Sequence, residues 1–239
     1  MSKHGKRYNS ATSLIDRESE YTIEEAVVKV KATATSKFDE SIELHLRTSA
    51  DPRHADQQVR GVAPLPNGNG KTVKIVVFVQ GEGVSIAQSA GADYIGDDEL
   101  IKKIEGGWAD FDVSIATADM MGKVSKLGKV LGRKGLMPNP KTGTVVATED
   151  IDRAVNDARK GRVEFKLDKT SIIHVVVGKA SFDAGQLVEN ISSVVDHIVR
   201  ARPSGVKGEF ILSAFLTSTM GPSTPLNAAA ISEIKGNDL

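Results

Sequence analysis

The 239-residue sequence contains no cysteine, which excludes disulfides and thiolate metal sites. Its five histidines are scattered, and none stands four residues from another as zinc-binding helix pairs do, so a metalloenzyme is not expected. No apolar run approaches the ~18–20 residues that cross a bilayer. The opening residues, Met1 to Asn9, are polar and basic without the apolar stretch of a signal peptide. A cytoplasmic protein with no membrane partner is the expectation. Net charge is lacking as well, because 31 basic residues balance 31 acidic ones. A nucleic-acid binder usually carries a basic excess that displaces counterions from phosphates, so this balance counts against RNA if charge is evenly spread. It is not evenly spread. Between Asp119 and Glu149 there is no acid, yet Lys123, Lys126, Lys129, Arg133, Lys134 and Lys141 all fall there.

What is present suits a folded chain of two modest domains, since 40% hydrophobic and 26% charged residues match ordinary globular proteins. Thr22 followed by Glu25 reads as a capping box, opening a helix to about Ala34 with Ile23, Ala26, Val27 and Val30 at helical spacing. Ile42, Leu44 and Leu46 then alternate with Glu43, His45 and Arg47, which predicts a strand of an antiparallel sheet covered on one face. From Val62 to Gly70, prolines, glycines and asparagines predict a linker. Beyond it the style changes. Val73 to Val79 is nearly all apolar, as a strand buried on both faces would be. A small-residue helix through Ala90, a strand from Ala92 to Ile95, an acidic-start helix from Asp97 to about Ile104 and a strand from Phe111 to Ala116 continue the alternation. A helix from about Glu149 to Arg159 closes it.

Past Lys160 the alternating style returns. Val163, Phe165 and Leu167 share one face, and Ile172 to Val177 is a second strand. A long helix with Leu187, Ile191, Val194, Val195 and Ile198 on its apolar face is ended by Pro203, and Glu209 to Thr217 is the last strand before a small, polar tail. The fold class is therefore α/β in two domains: a discontinuous α+β outer domain, residues 1–66 and 160–239, with a largely antiparallel sheet, and an inserted Rossmann-like α/β domain, residues 67–159. Two neighbouring chain crossings would allow one domain to hinge against the other.

Enzyme readings find little support. Gly81 and Gly83 follow a buried strand as in a dinucleotide fold, but Ile86 stands where the third glycine belongs, and a tight strand-to-helix turn accounts for the pair. Gly122 to Lys129 has five residues between its glycines, and Val130 occupies the place of the magnesium-binding Ser or Thr. Asp97, Asp98 and Glu99 complement a helix start better than they make catalytic acids. No nucleophile has a base partner by spacing. The chain is read as a non-enzyme without cofactor or metal.

Three segments suit RNA. Ser36-Lys37-Phe38-Asp39-Glu40-Ser41 offers Lys37 for phosphate, Ser41 for phosphate or sugar hydroxyl and Phe38 for a ribose or base, although taken alone the segment reads more readily with Phe38 in the core and Lys37 solvated. Thr217-Ser218-Thr219-Met220-Gly221-Pro222 combines hydroxyls, a flexible apolar side chain and exposed backbone, which fits the shallow minor groove and its 2′-hydroxyls, or else an ordinary Gly-Pro turn. The acid-free run from Gly122 to Lys141 puts cations on helix ends and loops, facing either phosphate or water.

With these segments in place, the chain resembles the bacterial form of the first protein of the large ribosomal subunit, the L-one family of the mobile stalk beside the tRNA exit site. The resemblance rests on Lys37-Phe38-Asp39-Glu40, on Asp51-Pro52-Arg53 through Asp56-Gln57-Gln58-Val59-Arg60-Gly61, on Gly132-Arg133-Lys134-Gly135-Leu136-Met137-Pro138-Asn139-Pro140 and on Thr219-Met220-Gly221-Pro222. It implies an outer domain that binds large-subunit rRNA at the stalk through Lys37, Phe38, Ser41, Ser213, Thr217, Thr219, Met220 and Gly221. Ser41 departs from the family's usual Thr but keeps the hydroxyl. It further implies that the inserted domain faces exit-site tRNA and assists its release, with Lys123, Lys126, Lys129, Arg133 and Lys134 as candidate contacts to tRNA or stalk RNA. Repression of its own operon through a messenger site that imitates the rRNA is also implied. The expected setting is the cytoplasmic ribosome, with no homo-oligomer.

Overall fold

The Thr22 hydroxyl accepts from the Glu25 amide at 3.3 Å, and the Glu25 carboxylate accepts from the Thr22 amide at 3.1 Å, so the capping box forms as the spacing predicts. These contacts come from a computed structural model that describes residues 5–96 and 98–232, with the side chain of Lys141 left undescribed. Asp97 of the acidic cluster and the end of the C-terminal tail lie outside the described residues. The chain divides into two compact units: one holds the N-terminal segment as far as Gly70 together with the chain from Arg162 onward, and the other spans Lys71–Gly161.

The first unit begins with α1 (Lys6–Thr12), α2 (Ile23–Thr33), β1 (Ser41–Thr48) and β2 (Arg60–Pro64). The sequence pattern gave no helix at α1, where Ala11 is the one buried residue among those described, so no apolar periodicity marks it. It also read Val62–Gly70 as linker. Instead Val62, Ala63 and Pro64 belong to β2, and Leu65 is buried, because a strand a hundred residues away supplies the pairing. Between β1 and β2 the chain folds on itself: the Asp51 amide donates to Gln57 Oε1 at 2.9 Å and the Arg53 amide to Asp51 Oδ1 at 2.9 Å.

The inserted unit contains β3 (Ile75–Phe78), α3 (Gly83–Ser89), β4 (Tyr94–Gly96), α4 (Asp98–Glu105), β5 (Val113–Thr117), α5 (Met121–Val124), α6 (Gly128–Lys134), β6 (Val145–Val146) and α7 (Ile151–Lys160). Its sheet runs β4-β3-β5-β6 and every pairing is parallel. All of β3 is buried because helices cover both faces: Val76 and Phe78 pack with Ile101, Ile104, Leu127 and Leu131, while Ile75 and Val77 pack with Ala87, Ile151 and Val155. Gly83 is explained by packing, since a Cβ there would overlap the Val79 side chain.

The chain returns to the first unit with β7 (Arg162–Lys166), β8 (Ile172–Lys179), α8 (Ala184–Arg200), β9 (Ile211–Ser218), β10 (Thr224–Leu226) and α9 (Ala228–Ser232). β7 pairs with β2 in a separate two-stranded ribbon. The main sheet, β10-β9-β1-β8, is antiparallel throughout. Ile42, Leu44 and Leu46 point into a core shared with Val27 and Val30 of α2 and with Leu187, Ile191, Val194 and Val195 of α8. Each fully buried side chain of this kind contributes about 1.5–3 kcal/mol. The other face stays open, and it is the face on which Glu43, His45 and Arg47 lie.

Candidate nucleic-acid interface

β1 and β9 are antiparallel neighbours, so the loop entering β1 and the turn leaving β9 arrive at the same end of the sheet, with Ile42 opposite Ser218. Residues 36–41 and 218–222, far apart in sequence, thereby become one surface. Ser41 donates its amide to Thr219 Oγ1 at 3.0 Å and receives the Thr219 amide on its carbonyl at 3.0 Å. Lys179, on β8, donates to Ser41 Oγ at 2.8 Å.

Glu40 sits beneath this junction, 1% exposed. Its Oε1 accepts from the Ser36 amide at 2.9 Å and its Oε2 from the Met220 amide at 2.9 Å. Burial alone would raise the Glu40 pKa, but the amides of Met220 and Ser36 favour the ionised form, and the net effect holds the carboxyl below its ordinary value. Above the surface, Arg7 of α1 donates from Nη1 to Ser36 Oγ at 3.0 Å and from Nη2 to the Met220 carbonyl at 3.3 Å.

On this frame Phe38 and Met220 stand out, 55% and 50% exposed. The core reading of Phe38 is therefore excluded. Lys37 is exposed and has no ion-pair partner among the described residues. Gly221 closes the turn, where a Cβ would overlap the Ser218 hydroxyl. Thr217 lies on the open face opposite Glu43, and its hydroxyl donates to the Ser218 carbonyl at 3.1 Å. Ser213 shares that face opposite Arg47, four residues further along β9 and so roughly 13 Å from Thr217. The structure thus gathers Lys37, Phe38, Ser41, Thr217, Thr219, Met220 and Gly221 at one end of the sheet, and leaves Ser213 down its face. Sequence reasoning gave no role to Arg7, Glu40 or Lys179; Glu40 was inside a quoted motif, but its partners could not be read from spacing.

The basic run folds as α5, a 3-10 turn at Ser125–Leu127 and α6, with Val124, Leu127 and Leu131 buried beneath. Lys126, Lys129, Arg133 and Lys134 are exposed. Lys123 is not part of an unpaired set, because its Nζ meets Asp98 Oδ1 at 2.7 Å. Arg133 and Lys134 occupy the last turn of α6, where they also complement the helix dipole.

Among the described residues no group of His, Cys, Asp or Glu could hold a metal ion, and no helix is long and apolar enough to cross a membrane.

The family model of the Ribosomal protein L1p/L10e family matches residues 30–222. A large ribosomal subunit protein uL1 of Dehalococcoides mccartyi is 56% identical over 236 residues, covering 99% of this chain and 100% of the relative. The protein of the same name from Thermomicrobium roseum is 52% identical over 234 residues, 98% of this chain and 97% of the relative. That of Chloroflexus aggregans is 50% identical over 236 residues, 98% of this chain and 100% of the relative. A match of this length and identity means that the chain belongs to the ribosomal protein L1p/L10e family.

Proposed function

We propose that this protein binds large-subunit rRNA at the mobile stalk through the surface formed by residues 36–41 and 217–221. It is a structural protein of the large ribosomal subunit, with its place on the cytoplasmic ribosome, and not an enzyme; its relatives carry the name of a large-subunit protein. The observation that carries the RNA reading is the convergence of Phe38 and Met220, both half exposed, on a hydrogen-bonded frame of Ser41 and Thr219. A singly exposed apolar side chain is ordinary, but Phe38 and Met220 stand exposed on two segments whose Ser36 and Met220 amides are tied to the same Glu40 carboxylate. Here they flank Lys37 and exposed hydroxyls, which supply a phosphate contact and 2′-hydroxyl contacts. This neutral, shape-led recognition removes the objection raised by the zero net charge.

The exposed cations Lys126, Lys129, Arg133 and Lys134 of the inserted unit meet exit-site tRNA or stalk RNA and assist release of deacylated tRNA. A messenger site that imitates the rRNA occupies the same surface as rRNA, so repression of the protein's own operon follows from competition between two RNAs for one site. Co-sedimentation with large subunits, and binding of the full chain to a transcript of the stalk region, test the reading. We expect saturable binding that the messenger leader displaces. A chain absent from large subunits and without affinity for the stalk transcript would overturn it.

A further inference from the structure

A buried carboxylate is costly unless it is well bonded, and Glu40 is 1% exposed with no cation paired to it among the described residues. Both of its oxygens are instead committed to backbone amides, one on each of the segments that make the RNA surface. Arg7 makes the matching contacts from the solvent side, to the hydroxyl of the same Ser36 and the carbonyl of the same Met220. Ser36 is thus held by its amide and its hydroxyl, and Met220 by its amide and its carbonyl. Neither grip is needed to complete the sheet, whose β1–β9 register ends at Ile42 and Ser218 and whose β1–β8 register ends at Ser41 and Lys179.

We propose that Glu40 and Arg7 are positioning residues for RNA: they clamp Ser36 and Met220 from beneath and above, and so fix the Phe38 loop against the Met220 turn before RNA arrives. Preorganising a surface lowers the entropy lost on binding, so the clamp acts on affinity without touching the ligand. This proposal rests on the rRNA reading given above. It also gives α1 a task, because that helix has little apolar surface of its own to bury and carries Arg7 to the site.

The test measures binding of the full chain to the stalk transcript for the wild type, Glu40→Gln, Arg7→Gln and Arg7→Lys. Glu40→Gln keeps one acceptor and turns an NH2 group toward the other amide, so affinity should fall about tenfold, as loss of one charge-assisted bond predicts. Amide hydrogen exchange should quicken at Ser36 and Met220 and stay slow at Leu44 in the core strand. Arg7→Gln should weaken binding about threefold to tenfold without changing the salt dependence. Arg7→Lys should do no better, since a point charge cannot hold two acceptors as a guanidinium does. Wild-type affinity in a folded Glu40→Gln protein, or in Arg7→Lys, would overturn the proposal. If Glu40→Gln fails to fold, the Arg7 pair decides it. A wild-type chain with no affinity for the transcript is a different result, and it removes the functional reading itself.

Discussion

Ser41 and Thr219 bond to each other through both main chain and side chain: the Ser41 amide meets Thr219 Oγ1 at 3.0 Å, and the Ser41 carbonyl receives the Thr219 amide at 3.0 Å and lies 3.2 Å from the same hydroxyl. The threonine hydroxyl that the family resemblance assigns to RNA is therefore also a strut between two segments. Under the proposed function RNA would also meet this hydroxyl, so substitution at this position has two consequences that must be measured apart.

Thr219→Val should cost stability as well as affinity, by about 0.5–1.5 kcal/mol for the lost bond at an exposed site. Met220→Asp separates the two effects. The Met220 side chain is half exposed and its backbone makes the contacts, so the fold should melt as the wild type does. A carboxylate facing phosphates should nevertheless weaken rRNA binding by ~1–3 kcal/mol. Thermal melts beside transcript titrations check this, and unchanged affinity in both variants would displace the site from the turn.

Gly221→Ala should disturb the same turn by crowding. Its Cβ would overlap the Ser218 hydroxyl, and Ser218 is buried and cannot swing into solvent. We expect a loss of about 1–3 kcal/mol in stability, the usual cost of overpacking. Ser218→Ala in the same chain should restore most of it, so a double-mutant cycle of melting temperatures should show coupling between the two sites.

Local signals carried much of the fold. The alternation of Ile42, Leu44 and Leu46, the Thr22 and Glu25 capping box and the apolar face of α8 each act within a few residues, and each formed where its pattern lies. β2 was hidden because Pro64, Pro66 and the glycines after it look like linker, while its ribbon depends on β7, which comes about a hundred residues later in the sequence. The site was legible only as separate motifs. That Ser36–Ser41 and Thr217–Pro222 meet is a consequence of β1 lying beside β9, which no spacing rule states. Lys123 was grouped with the other cations of the acid-free run for the same reason, since its partner Asp98 belongs to α4.

That ion pair sharpens what the basic face should do. Replacing Lys126, Lys129 and Arg133 together with glutamine should leave binding to the stalk transcript nearly unchanged. Binding of deacylated tRNA should lose salt dependence, with the slope of log affinity against log salt falling by roughly 0.7–0.9 for each phosphate contact removed. Lys123→Gln should have a smaller effect on tRNA, because its charge is already spent on Asp98. Filter binding across a salt series measures both, and a large loss of rRNA affinity in the triple variant would place the anchor in the inserted unit.

The open sheet face should respond to pH through His45 and His174, whose Nδ1 atoms lie 2.8 Å apart across β1 and β8. That distance suits one protonated and one bare nitrogen, and two imidazolium rings could not share it. Burial lowers the His45 pKa, the charge of His174 lowers it further, and Glu43 offsets part of the shift. A folded pKa below the unfolded value of about 6.5 means that the contribution of neutral His45 is full above that pH and is lost as pH falls through the folded value. Asp168, whose Oδ2 lies 3.6 Å from His174 Nε2, is held at about 2, chiefly by the Thr170 hydroxyl, so it stays charged throughout this window. Melting temperature should therefore decline between pH 7 and pH 5, and His174→Gln, which keeps a hydrogen-bonding group without the charge, should flatten that decline. An equally steep decline in the variant would show that the pair does not set the acid response.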